Sequence, residues 1–307
     1  CITICGPAQN DYKRYREEFM KDLSKVNVSV IVVTYNNREE LDDCINSIFQ
    51  MNDIGKRLEI IIVDNSPNDS VKSRVGKYEK VKYVRNIENG FGKGNNIGYK
   101  ESIGDLLIFL NPDTILIEPI FLKIIHKYYS TNKCGMAGIK LLDKMGREHN
   151  SYNIRLNYGL LKKVILRLSR KLKYFPQKIM YTCGADIIID RKFFEEIGFF
   201  DEHIFMYGEE QDLANRVNKK GKKVCFFCDL SMMHLQGMST TNDAVKVQEK
   251  MNISNLYYCN KYGLDFKREI SKEIFAMKFL NTLGLLMGGK KYPDELIESY
   301  VKFRNTH

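Results

Sequence analysis

Four short clusters carry side chains able to do chemistry: Thr34-Tyr35-Asn36-Asn37, Asp64-Asn65-Ser66, Asn111-Pro112-Asp113 and Glu209-Glu210-Gln211-Asp212. The third is the most informative. It ends the apolar run Leu106-Leu107-Ile108-Phe109-Leu110, and a buried strand that delivers an acid at its carboxyl end places it at the rim of a sheet, where α/β proteins bind ligands. Asp113 is there a natural oxygen ligand for a divalent cation. The segment Asn89-Gly90-Phe91-Gly92-Lys93-Gly94-Asn95-Asn96-Ile97-Gly98 is a glycine-rich turn running into a helix, able to offer backbone N–H groups and Lys93 to phosphate. It lacks the Gly-x-Gly-x-x-Gly spacing and follows the third strand rather than the first, which disfavours a nicotinamide fingerprint. Glu209, Glu210 and Asp212 open a helix, where each acid stabilises the dipole by roughly 0.3–1 kcal/mol, and Asp212 can pair with Arg216 at i+4. The dipole explains the acidity but not Tyr207-Gly208 before it, which favours a catalytic carboxylate.

A frame must bring these clusters together. The runs 28–33, 59–63, 81–84 and 106–110 read as strands, with helical stretches near 38–50 and 91–103 between them. Such alternation predicts an α/β, mostly parallel Rossmann-like sheet flanked by helices, with right-handed crossovers. Strands that point one way gather the first three clusters on one edge. Further on, 117–131 reads as a helix, 134–141 as a strand, 156–173 as a basic amphipathic helix, 181–189 as a strand and 209–220 as a helix closed by Gly221. The tail beyond 243 reads as helical, with 274–287 its most apolar part.

Composition bounds the class. A chain of 307 residues with 44% hydrophobic content can bury one large core, and Lys+Arg 48 against Asp+Glu 38 gives a net charge of +10 that suits polyanionic partners. Eight scattered cysteines read as reduced thiols of a cytoplasmic protein; Cys225-Phe226-Phe227-Cys228 has no second pair to complete a zinc site. No run reaches the roughly 18 apolar residues of a spanning helix. The chain opens on Cys1 rather than Met, which leaves its natural start open.

The order and wording of the blocks resemble glycosyltransferase family 2, particularly its bacterial rhamnosyl- and galactofuranosyl-type members. The blocks are Val28 to Asn36, Ile61 to Ser66, the Asn/Gly segment, Phe109 to Asp113, Cys183-Gly184-Ala185, Gly198 to Glu202, Phe205 to Leu213, and His234 with Gly237 and Ser239. The resemblance implies a GT-A fold over 28–240, with a nucleotide-binding half at 28–115 and an acceptor half at 116–240. A helical extension at 1–27 and a C-terminal helical region at 241–307 flank it. It implies inverting transfer of a sugar from a nucleoside-diphosphate sugar, dTDP-rhamnose or a UDP-hexose, to a hydroxyl of a lipid-linked glycan in bacterial surface polysaccharide synthesis.

Residue by residue, the resemblance makes Asp113 the last position of the family's Asp-x-Asp motif, binding Mn²⁺ or Mg²⁺, with Asn111 at the first. His234 approaches the same cation. Glu210 matches the base position, with Glu209 as the alternative. Thr34, Tyr35, Asn36 and Asp64 hold the nucleoside, Asp64 accepting from a pyrimidine imide. Lys93, Asn95 and Asn96 line the donor pocket, and Asp186 and Asp212 meet the donor sugar or acceptor. Contact with the inner face of the plasma membrane is expected through 156–173 or 274–287, and a homo-oligomer is left open. The rivals are weaker. Nucleic-acid binding would interleave aromatics with the basic residues of 156–173; nucleotidyl transfer would place its glycine loop after the first strand; a non-catalytic sugar- or lipid-binding relative would not need Glu209 and Glu210.

Overall fold

The computed structural model describes residues 22–36, 39–87, 90–155, 160–172, 174–235, 244–287 and 292–307. Nearly all of the expected extension at 1–27, and Asn37, Asn89, Gly237 and Ser239 from the clusters above, lie outside the described residues. The first half is a βα alternation: β1 (Val28–Thr34), α1 (Glu39–Gln50), β2 (Leu58–Asp64), α2 (Ser70–Val75), β3 (Val81–Arg85), α3 (Phe91–Lys100) and β4 (Leu106–Leu110). These four strands pair in parallel in the order β3-β2-β1-β4, with Thr34 level with Asp64.

The second half continues with β5 (Thr114–Leu116), α4 (Phe121–Ser130), β6 (Cys134–Leu142), β7 (Tyr152–Ile154), α5 (Leu161–Leu172), β8 (Met180–Thr182), β9 (Asp186–Asp190), α6 (Arg191–Glu196), α7 (Glu209–Lys219) and β10 (Lys223–His234). The main sheet runs β3-β2-β1-β4-β9-β6-β10-β5, with β9 antiparallel to β4 and β6, and β5 antiparallel to β10. A separate ribbon joins β7 to β8. The strand expected at 181–189 is therefore two strands in two sheets, broken at the Cys183-Gly184-Ala185 turn. The helix expected from 117 starts at Phe121, because 114–116 is taken into the sheet and Pro119 separates the two. The short β5 and β7 were not anticipated. Cys225 is buried on β10 while Cys228 is exposed, so the pair does not face one ion.

Alternation along the strands builds two apolar layers. Val28, Val30, Val32, Ile60, Ile62 and Ile108 pack against α1 and α4 through Leu41, Ile45, Phe121 and Ile125. On the other face Ile31, Val33, Ile61 and Phe109 pack against Phe194 of α6 and Leu213 and Val217 of α7. A sheet buried on both faces needs such continuous β-branched strands. The helices α8 (Ala244–Tyr262), α9 (Phe266–Met287) and α10 (Asp294–Thr306) enclose a smaller core of their own around Cys259, Phe266, Ile270 and Ile297.

The glycine segment has a packing role beside any phosphate role. A methyl group added at Gly98 would stand 2.3 Å from Ile31 Cγ2 and 3.1 Å from Val63 Cγ2, so the absence of a side chain is what lets α3 rest on β1 and β2. Gly98→Ala should lower the melting temperature by several degrees: overpacking costs about 1–3 kcal/mol and outweighs the roughly 1 kcal/mol gained in helix propensity. A thermal unfolding curve equal to or above the wild type would show that this contact has slack.

Candidate active site

The carboxyl end of β4 and the amino end of β5 present Asn111 and Asp113, and β10 ends opposite them at His234, level with Thr114. His234 Nε2 lies 3.3 Å from Asp113 Oδ1 and 3.4 Å from Asn111 Nδ2, and both Asp113 and His234 are buried. The loop is locked by Thr114, whose Oγ1 donates to the Asn111 carbonyl at 2.7 Å, and by Leu235 N–H donating to the Asp113 carbonyl at 2.9 Å. No group of three or more His, Cys, Asp and Glu side chains forms a metal cluster among the described residues. The donor set present is one carboxylate and one imidazole in contact, with an amide beside them and His234 Nδ1 buried without a hydrogen-bond partner. Two ligands of one small divalent ion stand about 3 Å apart, so the pair fits such an ion provided a substrate supplies further oxygens.

The acids come from the start of α7. Tyr207 and Gly208 both take left-handed backbone conformations, φ 70° and 104°, a costly arrangement for a tyrosine of the kind that gathers at functional sites. Glu209 is 2% exposed with Oε1 unpartnered, whereas Glu210 is only partly buried. Burial raises both carboxyls. The charge of Glu210 and the hydrogen bond between the two raise Glu209 well above the usual range, while that bond and backbone N–H groups draw Glu210 back. Ionisation is thus disfavoured more strongly at Glu209, and Glu210 is the more reachable carboxylate. Access favours Glu210 over Glu209 as the candidate base.

One turn links the two groups. A Cβ placed on Gly184 would sit 3.6 Å from the Glu210 carboxyl, and the Ala185 carbonyl accepts from Asn111 N–H at 3.1 Å. The Cys183 thiol between them is pushed up to about 12 by burial, reinforced by the charges of Glu210, Asp186 and Asp113. The Cys183 thiol is thus within electrostatic reach of both Glu210 and Asp113. The sequence offered the Cys-Gly-Ala block without a role; its glycine, beside a candidate base, was the available signal.

On the neighbouring edge Thr34 is buried at the end of β1, Tyr35 is 46% exposed, and Asn36 takes φ 57° with its N–H donating to Ser66 Oγ at 2.8 Å. Lys93 lies in the first turn of α3, and Asn95 is buried with Oδ1 unpartnered. Three expectations on this edge and its surroundings need correction. Asp64 is fully buried, its Oδ1 taken by Ser66 N–H at 2.8 Å and its Oδ2 by the Tyr83 hydroxyl at 2.7 Å and Arg85 at 3.2 Å, so it braces the edge rather than presenting a free acceptor. Asn96 donates to the Phe200 carbonyl and Glu202 and accepts from Phe200 N–H, tying α3 to the loop before α7. Asp186 is sealed beneath the site: Oδ2 accepts from Ile139 N–H, Oδ1 has no partner, and burial raises it well above the carboxylate range, favouring the neutral acid.

Asp212 is also corrected. It is fully buried, with Oδ2 held by Arg216 at 2.8 Å and Oδ1 by Lys261 and Tyr262, each at 2.6 Å. Lys261 also reaches Asp201 at 2.6 Å, and Tyr257 donates to the same carboxylate at 2.9 Å. These α8 partners lie beyond the span in which sequence blocks were recognisable, so nothing pointed to them.

Comparison with known proteins finds a match to the family model described as Glycosyl transferase family 2 over residues 29–198. The dTDP-rhamnosyl transferase RfbF of Shigella flexneri is 26% identical over 220 residues, covering 69% of this chain and 70% of that protein. Among solved structures, the Pyrobaculum calidifontis mannosyltransferase PcManGT, in complex with GDP-Man and Mn²⁺, superposes with a TM-score of 0.59 at 12% identity, covering 97% of this chain and 95% of the other. S. aureus TarS superposes with a TM-score of 0.51 at 20% identity; 83% of this chain is covered, but only 43% of TarS.

Asp212→Asn should remove the carboxylate paired with Arg216, and one of the two paired with Lys261, while leaving the pocket's edges in place. Breaking a buried pair costs about 3–5 kcal/mol, with the lower end expected because both cations are partly solvated. The melting temperature should fall by roughly 6 °C or more with nucleotide affinity preserved. Lost affinity with an unchanged melting temperature would return Asp212 to the ligand site.

Proposed function

The chain belongs to glycosyltransferase family 2 and has the GT-A fold, and from that premise we propose that it is an inverting, divalent-cation-dependent enzyme acting on a nucleoside-diphosphate sugar. The acceptor is a hydroxyl of a glycan carried on a lipid, in bacterial surface polysaccharide synthesis at the cytoplasmic side of the membrane. The donor is dTDP-rhamnose or a UDP-hexose; the name of the RfbF relative favours the first.

The observation that carries the reading is the Cys183-Gly184-Ala185 turn, with Glu210 against one side and the Asn111/Asp113/His234 group bonded to the other. The acceptor oxygen attacks the anomeric carbon on the face opposite the diphosphate, the carbon–oxygen bond to the diphosphate breaks with its electron pair leaving on the phosphate oxygen, and Glu210 takes the acceptor's proton. Glu209 keeps Glu210 oriented by donating to it. Asp113 and His234, with Asn111 alongside, would hold Mn²⁺ or Mg²⁺, the imidazole favouring Mn²⁺. When bound, such a cation neutralises the charge growing on the departing diphosphate. In this reading Thr34, Tyr35 and Asn36 hold the nucleoside, Lys93 and Asn95 line the donor pocket, and Gly184, lacking a side chain beside the Glu210 carboxyl, leaves it room to meet an alcohol.

With Mn²⁺ present, one of dTDP-rhamnose and the common UDP-hexoses should raise the melting temperature by several degrees, an effect that a chelator reverses. A ligand at 100 times its dissociation constant adds about 2.7 kcal/mol. Glu210→Gln should keep that shift and lose roughly 10²–10⁴-fold in turnover, whereas Asp113→Ala should lose the Mn²⁺-dependent part. If no nucleotide sugar stabilises the chain, or Glu210→Gln turns over normally, the proposal fails.

The pH profile gives an independent check. Glu210 must be ionised to accept a proton, and burial places the acid limb of kcat/KM above its ordinary 4.5. Glu209→Leu removes the side-chain hydrogen bond that helps draw Glu210 down, leaves only backbone N–H groups to oppose burial, and should move the limb to higher pH; Glu209→Gln keeps a donor and should hold it. Identical limbs in both variants would dissociate the pair.

A further inference from the structure

One stretch of the sequence carries a lopsided charge. Residues 149–185 contain eight Lys and Arg and no Asp or Glu, against +10 for the whole chain. Their centre is α5, which presents three faces. Ile165 and Leu166 pack inward on the small core of Tyr152, Ile154 and Met180, and Ser169 is buried beside them. Leu161, Val164, Leu168 and Leu172, spaced i, i+3, i+7 and i+11, form a stripe about a quarter turn around the helix from that face and are 60%, 52%, 49% and 67% exposed. Arg167 and Lys171 are exposed on the arc beside that stripe, and Tyr174, 66% exposed, continues it.

An apolar stripe left open beside an acid-free basic arc matches the boundary between headgroups and acyl chains of an anionic leaflet. The helix has 12 residues, about 18 Å, well short of the roughly 30 Å of a bilayer core, so it suits lying in the interface rather than crossing it. Among the described residues no helix is long and apolar enough to cross a membrane. The exposed Phe275, Phe279 and Leu283 of α9 make a second stripe, but Glu269 and Glu273 on the same helix deny it the same charge complementarity.

Position gives the surface its meaning. Helix α5 connects β7 to β8, and β8 runs directly into Cys183-Gly184-Ala185, the turn against Glu210. We propose that α5 docks on an anionic lipid surface through Leu161, Val164, Leu168 and Leu172 with Arg167 and Lys171 at the headgroups, so that the acceptor approaches Glu210 from the leaflet. The lipid contact stands on α5 alone; the acceptor's route rests on the sugar-transfer reading.

The test is co-sedimentation of the full chain with vesicles of phosphatidylcholine alone and with about one third phosphatidylglycerol. The wild type should partition at least tenfold more strongly onto the anionic vesicles, and less as salt rises. Each basic residue near the surface contributes roughly fivefold, so the combined Lys162→Glu, Arg167→Glu and Lys171→Glu variant should lose at least tenfold in partitioning. Its melting temperature and its donor hydrolysis without vesicles should stay at wild-type levels. Leu168→Ser with Leu172→Ser should also release the chain, which a purely electrostatic contact would not show. Absence of binding to anionic vesicles, or binding indifferent to charge reversal, overturns the proposal. So does a dimer in size exclusion that the serine variant dissociates while no vesicle binding occurs. A chain that binds anionic vesicles through α5 but hydrolyses no nucleotide sugar would support the surface and overturn the transfer reading alone.

Discussion

The chemistry of this chain depends on one pairing, the antiparallel insertion of β9 beside β4. Leu110 lies level with Asp186, so the residues just before β9 fall on the residues just after β4, and Ala185 accepts from Asn111 N–H. Without that crossing, the parallel half would end in an aspartate with nothing opposite it. With it, a three-residue turn is trapped between a cation-ready pair and the amino end of α7. The turn can be that close because Gly184 has no side chain to come between backbone and carboxylate.

Acids crowd this region, and the fold keeps only some of them reactive. Asp186 and Glu209 are buried where ionisation is disfavoured, Asp64 and Asp212 are consumed by neighbours, and Asp113 and Glu210 are left with capacity to act. Neighbouring carboxylates all ionised would repel both one another and an incoming diphosphate. Neutralising some by burial and others by pairing is a physical way to keep two. It also separates roles that residue type alone cannot: Glu209 and Glu210 are chemically identical and adjacent, yet opposite in access.

Much of the frame was legible because it follows from periodicity. The β-branched runs ending at Thr34, Asp64 and Leu110 could only be buried strands, and their convergence on one edge follows from parallel pairing. Asp113 and His234 could be brought together only through a family resemblance, since no spacing rule connects a loop after β4 to the end of β10. Side-chain duty was the least legible. Asn96, Asp64 and Asp212 carry the types and positions of ligands, and only their partners, Phe200, Tyr83, Arg85 and Lys261, show them to be struts. Those partners are as far as 104 residues away in sequence, where no local pattern reaches.

The same struts explain how the C-terminal helices bear on the site. The loop before α7 ends in two left-handed residues, Tyr207 and Gly208, and such a conformation persists only where the surroundings over-determine it. Here they do: Asn96 grips Phe200, Tyr257 and Lys261 grip Asp201, and Ser254 Oγ donates to the Met206 carbonyl at 2.9 Å. Three of those four residues lie on α8. Lys261 then reaches on to Asp212, one turn into α7, so a single ammonium group fixes the loop's start and the helix that follows it. The orientation of Glu210 is therefore set from behind by α8, and the helical tail helps to aim the proposed base.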